Sequence, residues 1–589
     1  MQANLRKCIQ KNASLQGKAR RSPRSLEIVD DATFSTASLS EDLTFDSRGR
    51  VSALTNNLGA FGYGYVGQSS RTSTVNYPNG MKTTYGYFGT STDFLLKQIK
   101  NLSSGGTPSI ISQFDYTYNP DRTIATWAQK QGSAGTTTWT FAYDALQQLT
   151  GAIRRDASNT VLENERYGFD AAGNRTEVQT GTTTRDYAVN KLNQLRSQRG
   201  FGPTTFAGTL DEAATVTLNG QSVPVTSNGG GVPFRFEGKV NLPAGSNTVT
   251  VEAVDGRGNT RTNHYGVTTT GTTALYEYDA DGNLRYEKTA GGSVTREYRW
   301  DAQDRLVRIV QGSHESVFDY DGASRRVRIR ELDSSVETSN KVYIWCGSRI
   351  CQRRASSGST VERMYVAGGF KDGGTSYFTT RDHLGSIREV VASNGTTVGS
   401  AVEYSPWGTR KQVAGSGLTS EFGFTGHFSH AASGLALAWF RAYSPTLGRW
   451  ASRDPLGESQ GTNLTEYVGS LPVSRRDPLG LYFGNLSPQT QQIIESMLSD
   501  PNVGPMVQEM ADSPIGFNER SDDPRVEQQG GGFSGPDGGG KRGVWLQSRD
   551  RKPAVSGRAR HSNVAGRGAR ARAWTPIRLL ERELQEWPR

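Results

Sequence analysis

A short phrase centred on an aspartate or asparagine recurs along this chain and constrains its fold more than any other feature. In its fullest form the phrase is an aromatic residue, any residue, a second aromatic residue and Asp or Asn, followed by a short polar stretch ending at Leu, Val or Arg. Self-similarity at a nearly fixed period predicts a repeat architecture. The copies, some of them degraded, are LTFDSRGRVSAL at 43, FAYDALQQLTGA at 141, YGFDAAGNRTEV at 167, YAVNKLNQLRSQ at 187, YEYDADGNLRYE at 276, YRWDAQDRLVRI at 298 and FDYDGASRRVRI at 318.

Each copy predicts a β-hairpin. Aromatic residues at alternate positions lie on one face of a strand, and an Asp side chain accepts a hydrogen bond from the backbone two residues later, which starts a turn. Gly or Asn in the following positions tolerates a positive φ. One hairpin is marginally stable in water, so we expect many to join edge to edge into a continuous sheet. Unrelated hairpins of an ordinary β-domain are the alternative, which seven copies at regular spacing disfavour.

Composition also favours a mostly β chain, because 69 of its 589 residues are glycine, well above the average usage of about 7%. The formal net charge of +10 is concentrated at one end. Residues 541 to 589 contain 13 Lys or Arg against 4 Asp or Glu, a net +9, which leaves +1 for the first 540 residues. The positive charge therefore suggests nucleic-acid binding only for the basic tail, and not for the rest of the chain.

The three cysteines, Cys8, Cys346 and Cys351, are too few for a disulfide framework. The last two have no further Cys or His at metal-ligand spacing, so we expect free thiols and no metal site. No stretch suggests a cofactor. No signal peptide is visible, and no apolar run approaches the ~18 residues of a membrane span.

Between Asn190 and Asp279 the period is interrupted, and residues 203 to 270 have the pattern of a separate β module. ATVTLNGQSV predicts a hairpin with an Asn-Gly turn, and FRFEGKVNL alternates apolar and polar residues. We expect an inserted immunoglobulin-like β-sandwich. Glycan binding by Phe234 and Phe236 is one interpretation; the other is a spacer or adhesive module in which both rings are core.

The repeated phrases resemble the YD repeats of the RHS family, shared with the YD shell of teneurins and the C component of Tc insecticidal toxins. The resemblance implies a β-strip wound spirally into a hollow shell. Residues 378 to 481 closely resemble the RHS repeat-associated core, with its phrases DHLGS, YSPWG, FTGH, LGRW and DPLGL in the expected order.

Two identical Asp-Pro-Leu-Gly tetrapeptides place Asp454 and Asp477 23 positions apart. Paired carboxylates that share one proton can hydrolyse an amide, because one activates water while the other protonates the carbonyl oxygen. The same tetrapeptide also favours a type I turn in which Asp accepts backbone hydrogen bonds. The spacing leaves both interpretations open.

The resemblance implies the catalytic interpretation, because in the family these aspartates form an aspartyl autoprotease that cleaves after the Leu of the second phrase. Carried over by motif, the catalytic residues are Asp454, Asp477 and Arg441, and the cut falls between Leu481 and Tyr482. The family phrase Arg-Tyr-Tyr-Asp-Pro is RAYSP in this chain, with Ala442 and Ser444 at the second and fourth positions. The Arg is retained, and the neighbouring side chains differ.

Residues 482 to 589 contain no YD phrase. Ser487 and Pro488 predict the start of a helix, which is followed by a glycine-rich stretch and the basic tail. The resemblance implies a variable C-terminal domain, often a toxin, released inside the shell. A disordered tail is the alternative.

The sequence therefore predicts six regions. They are a polar N-terminal segment (1–42), YD repeats (43–202), the inserted sandwich (203–270), further YD repeats (271–377), the RHS core with its autoprotease motif (378–481) and the C-terminal region (482–589).

We expect a self-cleaving toxin shell used in bacterial competition or toxin delivery. The first alternative is a non-catalytic surface adhesin or glycan-binding protein, and the second is a nucleic-acid-binding effector defined by its tail. Expected partners are the chain's own C-terminal cargo, a secretion-system or toxin-complex component and an immunity protein. The expected location is secreted or at the cell surface, and the lack of a delivery domain before the repeats suggests a fragment.

Overall fold

The computed structural model of the protein describes residues 39–227, 234–415, 418–481, 515–518 and 545–548. The chain divides into two compact units, one of residues 1–78 with 569–589 and the other of residues 79–568. The described residues are almost entirely strand and turn, with four short 3₁₀ turns. These turns are Thr90–Thr92, Phe424–Gly426, Gly457–Gln460 and Val468–Ser470.

The first unit contains an antiparallel meander of four strands, each paired with the next. The phrase at 43 forms its first hairpin. Phe61 packs edge to face on Tyr77, with ring centroids 5.3 Å apart. The strands are β1 (Glu41–Phe45), β2 (Val51–Asn56), β3 (Gly59–Tyr65) and β4 (Thr72–Asn76).

The second unit is built on one continuous antiparallel sheet. Ten strands pair in chain order, the tenth pairs with a strand that follows the insertion, and fourteen strands then continue the sheet. The first ten are β5 (Lys82–Tyr87), β6 (Leu96–Leu102), β7 (Ile110–Tyr118), β8 (Ile124–Gln131), β9 (Thr137–Tyr143), β10 (Leu149–Arg155), β11 (Val161–Phe169), β12 (Arg175–Thr180), β13 (Thr183–Val189) and β14 (Leu195–Arg199).

The fourteen strands after the insertion lie in the ranges predicted as the second block of repeats and the start of the segment that resembles the RHS core. They are β22 (Thr273–Tyr278), β23 (Leu284–Thr289), β24 (Val294–Trp300), β25 (Leu306–Gln311), β26 (His314–Tyr320), β27 (Arg326–Asp333), β28 (Val336–Cys346), β29 (Arg349–Arg354), β30 (Val361–Val366), β31 (Gly369–Asp372), β32 (Thr375–Arg381), β33 (Ile387–Ala392), β34 (Val398–Tyr404) and β35 (Arg410–Ala414). The expectation of a mostly β fold with a long repeat-built sheet is confirmed. Winding of the sheet into a closed shell stays a prediction.

The Asp of each phrase starts a turn as predicted. In the copy at 141, Oδ1 of Asp144 accepts hydrogen bonds from the backbone N–H of Leu146 and of Gln148, both 2.9 Å long. Gln147, between them, has a φ of 63°. The same two bonds, to the second and fourth residues after the Asp or Asn, occur in the other six copies, at Asp46, Asp170, Asn190, Asp279, Asp301 and Asp321.

The two aromatic positions of a phrase have different roles on the same face. The first ring is buried in the main core, as Phe141 and Tyr298 are. In three copies the second aromatic side chain is half-buried and donates a hydrogen bond to the preceding hairpin: Tyr143 to the carbonyl of Ile124, Trp300 to that of Leu284 and Tyr320 to that of Leu306. These repeats are tied to their neighbours by core packing and by a side-chain hydrogen bond.

Two small sheets lie between β14 and β22. One holds β15 (Gly202–Leu210), β19 (Phe234–Leu242) and β18 (Val225–Thr226) in that order. The other holds β17 (Gln221–Val223), β16 (Ala214–Leu218), β20 (Gly245–Asp255) and β21 (Thr260–Thr269). They share an apolar core that includes Phe236. A Cβ at Gly208 would lie 2.5 Å from the Phe236 ring, so this ring is core rather than half of an exposed aromatic platform.

After β35 a short sheet packs on the repeat core. Its strands are β36 (Phe428–His430), β37 (Leu435–Leu437), β38 (Ala442–Ser444) and β39 (Arg449–Trp450). Phe428, Leu435 and Val473 belong to the same apolar cluster as the phrase aromatics. The RHS core segment and the repeats of the second unit therefore share one hydrophobic core.

The expectation of free thiols is wrong for two of the three cysteines. Cys346 and Cys351 form a disulfide, with their Cα atoms 5.7 Å apart. Cys346 is the last residue of β28, and Cys351 lies in β29 at a register shift, between the residues that pair with Trp345 and Ile344. Cys8 lies outside the described residues.

Most of the C-terminal region also lies outside the described residues, including the helix predicted at Ser487 and Pro488. Its described parts are two strands, β40 (Ile515–Asn518) and β41 (Trp545–Ser548), which pair antiparallel. Across the parts of the chain that are described, no helix has the length and apolar character of a membrane span.

The turn aspartates predict a measurable stability effect. Asp144→Ala removes the acceptor of two backbone N–H groups, and we expect it to lower the free energy of unfolding by about 2 kcal/mol. Asp144→Asn retains Oδ1, as Asn190 does in its own copy, and should be close to wild type. Urea unfolding of the two variants checks this; equal midpoints would contradict the role given to Oδ1.

Candidate functional site

Arg441, Asp454 and Asp477 meet in the RHS core segment. Nη2 of Arg441 lies 2.8 Å from Oδ2 of Asp454 and 3.1 Å from Oδ2 of Asp477. One nitrogen therefore contacts both carboxylates. The residues that the sequence analysis selected as a catalytic group are brought together by the fold.

The chain between the two aspartates forms an excursion that returns beside β39. The N–H of Trp450 donates to the carbonyl of Thr465 at 3.0 Å, and that of Asp454 donates to the carbonyl of Leu464 at 2.8 Å. Nη1 of Arg441 donates to the same Leu464 carbonyl at 3.3 Å. These contacts explain how residues 23 positions apart in sequence reach one guanidinium.

Each aspartate also holds its own Asp-Pro-Leu-Gly turn. Oδ1 of Asp454 accepts from the N–H of Leu456 at 2.9 Å. Oδ1 of Asp477 accepts from the N–H of Gly480 at 2.9 Å and of Leu481 at 2.8 Å. Since Oδ1 serves the turn and Oδ2 faces Arg441, a turn role and a chemical role do not exclude each other.

Arg441 is buried and its guanidinium contacts an aromatic ring and a backbone carbonyl as well as the two carboxylates. Its side chain is 1% exposed, and its guanidinium lies 4.4 Å from the centroid of the Trp450 ring, a cation–π contact. Nε donates to the carbonyl of Gly480. The arginine is therefore anchored to the backbone one residue before Leu481 as well as to both carboxylates.

The two residues that depart from the family phrase lie away from these contacts. Ala442 is buried in the main core. Ser444 is buried and its hydroxyl accepts from the N–H of Leu447 in the turn between β38 and β39. The substitutions change this turn and leave the hydrogen bonds of Arg441 in place.

Burial sets the charge state of the pair. It raises the pKa of Asp477 to about 6, against the opposing effect of Arg441 and with a further rise from Asp454. Burial also raises the pKa of Asp454, again opposed by Arg441. One guanidinium neutralises one carboxylate, so a single proton on the pair makes the site neutral.

Leu481 is 1% exposed and follows Gly480, whose φ is +77°. A Cβ on Gly480 would lie 3.1 Å from both the backbone nitrogen and the Cβ of Arg441. Position 480 therefore requires glycine for two reasons: its φ is positive, and Arg441 leaves little room for a Cβ. Tyr482, on the other side of the expected cut, lies outside the described residues.

Two histidines that the sequence analysis left without a role contact the segment leading into this turn. Nε2 of His427 lies 2.8 Å from the carbonyl of Asp477, and Nε2 of His383 lies 2.8 Å from the carbonyl of Val473. They belong to the phrases FTGH and DHLGS, which were the available signal. Their partners are 50 and 90 residues away, beyond the reach of any local pattern.

No group of three or more His, Cys, Asp or Glu side chains in the described ranges is arranged to hold a metal ion.

Comparison with known families shows two matches. Residues 369–468 match the teneurin YD-shell, and residues 278–316 match the RHS repeat. The resemblance to RHS and YD-repeat proteins is confirmed. The YD-shell match includes Arg441 and Asp454 and ends before Asp477.

Relatives of this chain include double-stranded DNA deaminase toxin A of Burkholderia cenocepacia. It is 29% identical in an alignment of 243 residues that covers 35% of this chain and 17% of that protein. Toxin subunit YenC1 of Yersinia entomophaga is 27% identical in an alignment of 216 residues that covers 31% of this chain and 22% of that protein. The chain thus spans about a fifth of the length of these relatives. Among solved structures, TcdB2-TccC3-Cdc42 aligns at 13% identity and a TM-score of 0.29, covering 78% of this chain and 31% of that one.

The close approach at Gly480 predicts a stability difference. Gly480→Ala adds a Cβ at a positive φ and against Arg441, whereas Gly312→Ala adds one at a φ of 61° with open space around it. We expect about 1–2 kcal/mol of destabilisation at Gly312 from conformation alone and a larger loss at Gly480. Thermal melting of both variants measures this; equal shifts would contradict the packing argument.

Proposed function

We propose that this chain is part of a polymorphic toxin shell protein that cuts its own backbone between Leu481 and Tyr482 and so detaches the segment that follows. The observation that carries the proposal is the contact of Arg441 with both Asp454 and Asp477. Asp477 lies four residues before Leu481, the residue at the expected cut. The reaction is an intramolecular, single-turnover amide hydrolysis.

The charge state of the pair supports a division of roles. Ionised Asp454 takes a proton from water as the water oxygen attacks the carbonyl carbon of Leu481, and protonated Asp477 donates to the carbonyl oxygen. The tetrahedral intermediate then collapses: one of its hydroxyl groups returns a proton to Asp477, the C–N bond breaks, and the amine of Tyr482 leaves with the proton that Asp454 took from water. Arg441 keeps one carboxylate ionised and stabilises the developing negative charge.

The turn supports the proposal through positioning. The N–H of Leu481 is held 2.8 Å from Oδ1 of Asp477, and the carbonyl of Gly480 accepts from Nε of Arg441. The backbone entering the cut is thereby fixed against the same two side chains that would act on it. Such orientation supplies a large part of the rate in an intramolecular reaction.

The released segment is proposed to be a toxin cargo. Two relatives carry the word toxin in their names, one of them a double-stranded DNA deaminase, and residues 541 to 589 of this chain have a net charge of +9. Delivery outside the producing cell, a toxin-complex or secretion partner and an immunity protein belong to the same proposal. Bacterial competition is the proposed setting.

Denaturing electrophoresis of the purified chain tests self-cleavage. We expect a 481-residue piece and a 108-residue piece of about 12 kDa, scaled by length from 64.1 kDa for 589 residues. Asp477→Asn and Asp454→Asn should leave the chain intact, although Asn retains the Oδ1 acceptor of each turn. Asp279→Asn, at a repeat turn far along the chain, is the matched control and should cleave as the wild type does. Cleavage that survives Asp477→Asn would rule the mechanism out.

The pKa of Asp477 predicts the pH dependence of the rate. The raised pKa of about 6 means that Asp477 holds its proton below pH 6 and loses it above. The pair then carries two negative charges and has no proton to donate, so cleavage should slow by tenfold or more between about pH 5.5 and pH 8. A time course of newly refolded chain at several pH values measures this; a rate that rises steadily to pH 8 would contradict the assignment of Asp477 as the acid.

A further inference from the structure

His383 and His427 bind the same short segment from two different loops. Nε2 of His383 lies 2.8 Å from the carbonyl of Val473, and Nε2 of His427 lies 2.8 Å from the carbonyl of Asp477. The two carbonyls are four residues apart and lead directly into the turn that ends at Leu481. Nothing in the proposed chemistry uses either imidazole.

Hydrogen bonding determines the tautomer of both rings. A carbonyl oxygen only accepts, so Nε2 carries the proton in each histidine. Nδ1 then accepts a hydrogen bond from a hydroxyl: that of Thr425 for His427, at 3.2 Å, and that of Tyr116 for His383, at 3.1 Å. Burial lowers the pKa of both histidines, that of His427 to about 4. The His427 ring therefore stays a neutral donor while Asp477 titrates.

His427 also contacts the group that supports Arg441. Its ring packs edge to face on Trp450, with centroids 6.0 Å apart. The same indole also contacts the Arg441 guanidinium, which lies 4.4 Å from the ring centroid. His427 is 3% exposed, so no water replaces its hydrogen bond to Asp477 without rearrangement. A single buried ring thus touches the backbone of one proposed catalytic residue and the support of another.

We propose that His427 is a positioning residue for self-cleavage, which holds the backbone of Asp477 so that its carboxylate and the Leu481 amide keep their relative placement, and that His383 steadies the same segment at Val473. The proposal rests on the proposed function. A displacement of about 1 Å at a reacting centre can cost about a hundredfold in rate, and loss of the buried donor at Asp477 permits a shift of that size.

The test is the rate of self-cleavage of the full chain after cell-free synthesis, followed on denaturing gels. His427→Leu, which keeps volume and removes the donor, should slow cleavage by about a hundredfold. His427→Gln, whose side-chain N–H reaches the place of Nε2, should recover to within about tenfold of wild type. The matched control is His430→Gln, because His430 is buried nearby and bonds to Glu331 and Ser433.

The outcomes separate the two proposals. If the wild-type chain stays intact, the proposed function fails. If the wild type cleaves and His427→Leu cleaves equally fast, or His427→Gln is as slow as His427→Leu, the positioning role is overturned while self-cleavage stands.

Thr425→Val keeps the imidazole and removes the hydroxyl that donates to its Nδ1. This variant replaces His427→Leu as the test if His427→Leu fails to fold. We expect it to slow cleavage about fivefold, the kinetic equivalent of one ordinary hydrogen bond. An unchanged rate in a folded Thr425→Val variant would count against the role of the ring as an oriented donor.

Discussion

The contact of one buried guanidinium with two buried carboxylates determines the charge state of the site, and the proposed self-cleavage depends on it. Removing charges from water is costly unless each finds a partner, and Arg441 has a single positive charge for both Asp454 and Asp477. The imbalance favours one shared proton. A purely structural ion pair would need only one carboxylate, whereas hydrolysis needs two in different protonation states.

The same local device builds the repeats and presents the expected cut. In the seven phrases the Asp or Asn Oδ1 accepts two backbone N–H groups and closes a hairpin turn. Asp477 uses Oδ1 in a similar way on Gly480 and Leu481. Its second oxygen faces Arg441, whereas that of Asp301 or Asp321 bonds to the arginine four residues later in its own turn. The surrounding core thus brings the turn-forming side chain of Asp477 to the buried Arg441. Asp477 can therefore both hold the backbone of the turn and act on the bond that follows it.

Local chemistry made the repeats predictable, because the turn depends on residues within four positions of each Asp or Asn. The meeting of Arg441 with the two aspartates was expected only through the family resemblance, since the spacing alone also fitted a duplicated turn. The disulfide was missed because it depends on a register shift in the hairpin of β28 and β29, at which Cys351 lies between the partners of Ile344 and Trp345. The bond from His427 to Asp477 joins positions 50 residues apart, and a short phrase such as FTGH contains no information about such a partner.

Self-cleavage in water enriched in ¹⁸O, followed by mass spectrometry of both fragments, tests whether an activated water hydrolyses the bond between Leu481 and Tyr482. Hydrolysis by an activated water predicts a large fragment that ends at Leu481 with one ¹⁸O atom in its new carboxylate, and a small fragment that begins at Tyr482. An intact chain, a cut at another bond, or a Leu481 terminus without the label would contradict the account.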